Sequence, residues 1–134
     1  MVGFELAAAA VQDAYVNANL NGVDNCQFIA GDLKDCLQQA SRSPHYARPD
    51  VIITDPPRAG MHPQVIQAIL ELAPARLIAV SCNPATLARD LALLQPQYEV
   101  ASVAPFDLFP HTPHIECMVG LERRGLTCVP RWES

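Results

Sequence analysis

The sequence has no apolar run long enough to cross a bilayer and no signal-peptide pattern at its amino end. The expectation is therefore a soluble, cytoplasmic protein without a membrane partner. Basic residues are scarce: 9 Lys and Arg against 14 Asp and Glu leave a net charge of −5. That balance argues against this segment gripping a phosphate backbone unaided. Cys-x-x-Cys is absent, and the five cysteines, at 26, 36, 82, 117 and 128, are odd in number and unpaired in spacing. The four histidines stand at no metal-ligand spacing to them, so neither a disulfide framework nor a metal site is expected. No internal repeat or low-complexity segment occurs.

What the sequence does have is an alternation of strand and helix signals within 134 residues, half of them hydrophobic, enough for one domain with a core. Residues 2–5 read as the end of a strand. Ala7, Val11, Ala14 and Ala18 follow on one helical face, and Asn21-Gly22 stops that helix. Residues 26–30 are the next strand, closed by Gly31-Asp32, and 34–40 a short helix. The proline-bearing stretch 41–49 is a loop.

The β-branched run 51–54 is a strand that Asp55-Pro56-Pro57 ends sharply. A helix from Pro63 is expected to bury Val65, Ile66, Ile69 and Leu70. Residues 77–81 form a buried strand, and Asn83 and Pro84 suit the N-cap and first position of the helix behind it. Residues 98–104 are a strand, 105–114 a turn-rich stretch, and 115–122 a last strand with Ile115, Cys117, Val119 and Leu121 on one side. Residues 124–134 read as a loose tail after a domain of residues 1–123.

This alternation predicts an α/β fold with a mainly parallel sheet and an antiparallel last strand. In such sheets ligands bind beyond the carboxyl ends of the parallel strands. Glu5, Asp32, Asp55 and Cys82 all fall at such ends, and an antiparallel last strand brings Glu116 to the same rim. Cys82 sits where a strand hands over to a helix, and the helix's unpaired N–H groups favour a thiolate there. An unpaired cysteine is more often a small buried apolar residue, and carboxylates at strand ends also cap helices, as Asp32 can.

Three stretches shift the balance between these readings. Asp55-Pro56-Pro57-Arg58-Ala59-Gly60, Ser81-Cys82-Asn83-Pro84-Ala85-Thr86-Leu87 and Asp107-Leu108-Phe109-Pro110-His111-Thr112-Pro113-His114-Ile115-Glu116 together resemble the RNA uracil-5 methyltransferases. The resemblance covers nearly the whole chain but only the carboxyl-terminal, catalytic part of that family. It implies the Rossmann-like sheet of class I S-adenosylmethionine-dependent methyltransferases and formation of 5-methyluridine in transfer or ribosomal RNA. It also implies roles. Cys82 adds covalently to uracil C6, and Glu116 removes the C5 proton. Glu5 accepts hydrogen bonds from the cofactor ribose, Asp32 lies near the adenine, and Asp55 faces the methionine moiety or the base. Arg58 orients Asp55 or a phosphate, or is a plain surface arginine. Phe106 and Phe109 are expected in core packing rather than on a base, and His111 and His114 as structural members of their loop.

The family's first strand and glycine-rich turn are missing from the resemblance, as are its RNA-binding region and its cysteine cluster for iron–sulfur. A sheet without that first strand has two open edges, which invite self-association or pairing with another chain. The chain is thus expected to be a fragment, inactive alone, that meets RNA through a full-length enzyme. The rival readings are a cytosine-5 or amino methyltransferase of the same fold and a non-catalytic interaction module. Ser81 before Cys82 and Asn83-Pro84 after it favour the uracil type.

Overall fold

A computed structural model of the protein describes residues 1–42 and 47–125. The chain divides into two compact units, Met1–Tyr46 and Ala47–Ser134.

The first unit holds β1 (Val2–Glu5), α1 (Ala8–Leu20), β2 (Gln27–Ala30) and α2 (Leu33–Arg42). β1 and β2 pair in parallel, Gly3 opposite Phe28. A Cβ at residue 3 would lie 2.9 Å from the Phe28 ring, so glycine permits that approach. Tyr15 of α1 meets Phe28 edge-on at 5.1 Å between ring centroids. Its hydroxyl donates to the Phe28 carbonyl at 3.1 Å and accepts the Phe28 N–H at 3.0 Å. α1 ends as expected at Asn21-Gly22, where Gly22 takes a φ of 65°. Its face of Val11, Ala14 and Ala18 is only half-buried, and Ala7, its N-cap, is exposed.

The second unit holds β3 (Val51–Thr54), α3 (Pro63–Leu72), β4 (Arg76–Ser81), α4 (Pro84–Leu94), β5 (Tyr98–Phe106) and β6 (Glu116–Arg123). Its four strands run in the order β3-β4-β6-β5. β3 and β4 are parallel, while β6 lies antiparallel to both β4 and β5. The sheet is therefore parallel except for its last strand, as the alternation predicts. β1 and β3 each lie at the edge of their sheet, the two edges expected to stand open.

Leu77, Ala79 and Ser81 are buried on one face of β4, and the register sets Val119 and Leu121 of β6 beside Ala79 and Leu77. With Val65, Ile66 and Ile69 of α3 and Leu87 and Leu94 of α4 they make the core. Val51 and Ile53, which alternate to the other face of β3, are exposed. α3 starts behind His62, whose Nδ1 accepts the Gln64 N–H, with Pro63 in the first turn. It stops at Ala73 in the left-handed conformation, just before Pro74.

Several boundaries differ from the sequence reading. α2 runs on to Arg42 into the expected loop, of which residues 43–46 lie outside the described ones. β5 continues through Pro105 and Phe106, because a bulge between Val100 and Ser102 lets the strand keep pairing with β6. Ile115 precedes β6 and is exposed, and Leu70 is half-buried because it lies off the core-facing stripe of Ile66 and Ile69. Of the expected tail, residues 126–134 lie outside the described residues.

Candidate active site

The turn between β4 and α4 is held on both sides of Cys82. Ser81, almost wholly buried, accepts the Asn83 N–H on Oγ at 3.1 Å and donates to the Asn83 carbonyl at 3.2 Å. Asn83 takes the extended conformation of an N-cap, and its Oδ1 accepts the Ala85 N–H at 3.1 Å. Cys82 is thus fixed, half-buried, between the end of a strand and the start of a helix.

The sheet register brings Glu116 to this place. Ser81 pairs with Cys117. Cys82 directly follows the one and Glu116 directly precedes the other, so the two lie side by side at one end of the sheet. Glu116 is also half-buried. This adjacency depends on β6 inserting between β4 and β5 and running against them.

Asp55 stands at the corresponding end of β3, where the Thr54–Ala79 pairing closes the parallel ladder. It is exposed and opens a loop that runs to His62. The loop folds on itself through the Gly60 N–H to the Pro57 carbonyl at 2.8 Å, with Gly60 at a φ of 82°. It is also tied to α4: Asn83 Nδ2 and Thr86 Oγ1 both donate to the Arg58 carbonyl, at 3.2 and 3.1 Å. The Arg58 guanidinium reaches His114 Nδ1 at 3.4 Å and so links this loop to the one that leads into Glu116. Arg58 is thus an exposed arginine with a partner in the loop before β6.

The loop before β6 is knitted by Thr112, which gives its N–H and its hydroxyl to the Phe109 carbonyl and accepts the His114 N–H. His111 carries the turn at a φ of 68°. His111 and His114 thus have a structural place in this loop. Phe106 and Phe109 do not pack in a core, contrary to expectation; both are exposed, Phe109 at 52%. Phe106 is the last residue of β5, and Phe109 lies in the loop that follows it.

The two remaining carboxylates belong to the first unit. Glu5, at the carboxyl end of β1, is exposed and accepts the Ala7 N–H on Oε1 at 2.8 Å, at the mouth of α1. Asp32 follows β2. Its Oδ1 accepts the Lys34 N–H at 3.1 Å, and its Oδ2 pairs with Lys34 Nζ at 3.1 Å. Asp32 hydrogen-bonds to and pairs with Lys34 and so holds that ammonium above its ordinary range, with Asp35 adding to the effect. Both carboxylates therefore serve helix starts, the plainer of the two readings, and both stand at strand ends. Among the described residues, no three His, Cys, Asp or Glu are grouped to hold a metal ion, and no helix is long and apolar enough to cross a membrane.

What the sequence reading did not find are the groups that hold the Asp55 loop: Asn83 in a second role, Thr86, and beyond them Arg89 and Asp90. A signal was available in the polar residues recurring at helical spacing along α4.

Known proteins resemble the chain over almost all of its described length. The chain is 54% identical over 124 residues to an uncharacterized RNA methyltransferase of Bacteroides thetaiotaomicron, covering 92% of this chain and 27% of that protein. A second, from Nitratidesulfovibrio vulgaris, is 49% identical over 123 residues, 91% of this chain and 26% of its own length. The chain thus spans about a quarter of the length of these relatives. Among solved structures, the tRNA (uracil-54, C5)-methyltransferase of Pyrococcus abyssi, in complex with S-adenosyl-L-homocysteine, superimposes with a TM-score of 0.74 at 33% identity, over 90% of this chain and 28% of that one. An rRNA methylase of Streptococcus thermophilus shares the fold alone, at a TM-score of 0.60 and 15% identity, over 91% of this chain and 72% of that one. The family model for tRNA (uracil-5-)-methyltransferases matches residues 1–124. The three motifs, the sheet order and this match agree, and the chain belongs to the tRNA (uracil-5-)-methyltransferase family.

Proposed function

We propose that this chain carries the reacting groups of an enzyme that methylates C5 of uracil in RNA, with S-adenosylmethionine as methyl donor. The observation that supports this best is the pairing of Ser81 with Cys117, which sets Cys82 and Glu116 side by side. Family membership and the S-adenosyl-L-homocysteine bound in the Pyrococcus abyssi enzyme support it further.

Of the groups assigned to the cofactor, Glu5 fits well: an exposed carboxylate at a strand end, whose bond to the Ala7 N–H uses one oxygen, suits the hydroxyls of a ribose. Asp32 suits the adenine side once its ion pair with Lys34 yields, and Asp55 is exposed at the end of β3. When bound, S-adenosylmethionine supplies an electrophilic methyl group for C5.

The chemistry of the chain's own residues follows from the inertness of that carbon. Uracil C5 is a weak nucleophile until C6 is saturated. The Cys82 thiolate adds to C6, forming the S–C6 bond and releasing the C5=C6 π pair to C5 and the C4 carbonyl oxygen as an enolate. That pair would be used in bonding the methyl group the donor supplies, and Glu116 then takes the proton that C5 still carries. The C5–H electrons restore the double bond, the S–C6 bond breaks, and the thiolate returns. The target base must leave its stack for this to happen. Transfer RNA and ribosomal RNA both offer such a uridine.

The test is a trapping experiment on the full-length enzyme that contains this chain, with S-adenosylmethionine and uridine-containing RNA. Glu116→Gln should slow turnover by about 10²–10⁴-fold and accumulate a protein–RNA adduct that survives a denaturing gel. The double variant with Cys82→Ala should form none. An adduct that persists without Cys82, or its absence from Glu116→Gln when the unaltered protein methylates, overturns the assignment.

A further inference from the structure

Asp90 of α4 is 1% exposed, the most deeply buried carboxylate among the described residues. Its oxygens divide their work. Oδ1 accepts from Arg89 Nε at 3.0 Å and from Arg89 Nη2 at 2.7 Å. Oδ2 accepts the Met61 N–H at 2.7 Å. Arg89 Nη2 goes on to the Ala59 carbonyl at 2.9 Å. Together with the bonds of Asn83 and Thr86 to the Arg58 carbonyl, one side of α4 holds the backbone of Arg58, Ala59 and Met61 in succession. Gly60 completes the run: a Cβ there would lie 2.5 Å from Arg89 Nη2 and 2.6 Å from Asp90 Oδ2, and its φ is 82°.

A buried carboxylate is costly unless charge-assisted bonds saturate it. Here they do, and their partners are the loop that begins at Asp55 and the helix that begins just after Cys82. That loop cannot shift against the helix without taking the Met61 N–H from Asp90 and the Ala59 carbonyl from Arg89.

We infer that Asp90 is a positioning residue for the methyl-transfer site, its carboxylate clamping the Asp55–Met61 loop to the helix that follows Cys82. The inference rests on the function proposed above. Asp90 touches no substrate; it acts through the loop, keeping Asp55 in register with the sulfur. Positioning of this kind matters because a misplacement of about 1 Å costs about 100-fold in rate.

The discriminating variant is Asp90→Asn in the protein. An amide presents one oxygen and one NH₂, so either the Met61 N–H or the Arg89 guanidinium meets a donor instead of an acceptor. Methylation of uridine-containing RNA should lose about 10- to 100-fold in kcat, with KM for RNA and for S-adenosylmethionine within about twofold. Amide exchange at Met61, whose N–H Asp90 holds, should quicken by about tenfold or more, since its protection reports the clamp. Exchange that stays slow, or a kcat that stays normal while exchange quickens, overturns the inference. Where Asp90→Asn fails to fold, Gly60→Ala presses on the same carboxylate from the loop side and should give the same split; normal kcat and slow exchange in that variant overturn it equally. A full-length enzyme containing this chain that is inactive on uridine RNA in its unaltered form overturns the methyltransferase reading and the positioning role with it. The exchange comparison then still shows whether the clamp itself exists, so the two failures are told apart.

Discussion

The two compact units divide the labour unevenly. Among the described residues, the first buries one large apolar side chain, Leu37, beside a two-stranded sheet. The second buries Met61, Val65, Ile66, Ile69, Leu72, Leu77, Leu87, Leu94, Tyr98, Val119 and Leu121 around a four-stranded one. A two-stranded sheet is marginal in water, whereas a larger sheet with helices on a hydrophobic face sustains itself. The residues assigned to bond making, Cys82 and Glu116, sit on the stronger scaffold together with Asp55, assigned to the methionine moiety or the base, and the carboxylates assigned to the cofactor ribose and adenine sit on the weaker one. The contrast suggests a rule: groups that must meet a reacting carbon at fixed distance need a packed base, while groups that hold a flexible ligand tolerate a softer one.

The sharpest way to break this contrast is to empty the core of each unit in turn. Leu77 is fully buried in the centre of β4, and Leu77→Ala should cost about 2–5 kcal/mol, the range for a leucine whose cavity cannot collapse. Val11 of α1 is half-buried, and alanine is the better helix former there, so Val11→Ala should change stability by less than about 1 kcal/mol. Urea unfolding of both variants decides it. Equal losses would mean that the first unit is as tightly packed as the second.

Helix caps carry the comparison to a finer scale. Asn83 caps α4 and also holds the Arg58 carbonyl, so Asn83→Ala should cost about 1 kcal/mol or somewhat more. α1 has alanine at its N-cap and borrows an exposed bond from Glu5, so Glu5→Ala should cost less than about 0.5 kcal/mol. Denaturant midpoints at neutral pH read both. A larger loss from Glu5→Ala would assign that carboxylate a structural weight that an exposed bond does not carry.

These elements also show what the sequence could and could not reveal. The β-branched run 51–54, the prolines at 56, 57, 63 and 84, and the Asn83-Pro84 pair mark strand ends and helix starts by local chemistry, and those elements appear where local chemistry puts them. The nearness of Glu116 to Cys82 was legible too, because strand direction alone decides which end of a last strand meets the rim. The clamp on the Asp55 loop was legible only in part. Polar residues recur at helical spacing along α4, but nothing in that spacing says which distant carbonyl a given threonine or arginine will find. Burial of Phe106 and Phe109 failed for a related reason: an aromatic side chain is buried by what packs on it, which its own type does not announce, and both are exposed. The bulge at Val100 and Ser102 and the ion pair that engages Asp32 likewise arise from tertiary fit.

The smallest expected effect emerges only in alkali. Tyr98 stands at the start of β5 with its hydroxyl donating to the Pro74 carbonyl at 2.9 Å, and burial pushes its phenol above the ordinary value of 10.0, against a lesser pull downward from Arg123. The folded state therefore keeps this proton where the unfolded chain releases it. The contribution is fully present below pH 10.0 and is lost as pH rises through the higher folded value. Tyr98→Phe removes the titrating group, so the stability difference between the unaltered protein and the variant should narrow from about pH 9 to about pH 11. Urea midpoints of the unaltered protein and of Tyr98→Phe across that range measure it, and a stability difference that stays constant from about pH 9 to about pH 11 would mean that the second unit's buried phenol carries no pH-sensitive stability.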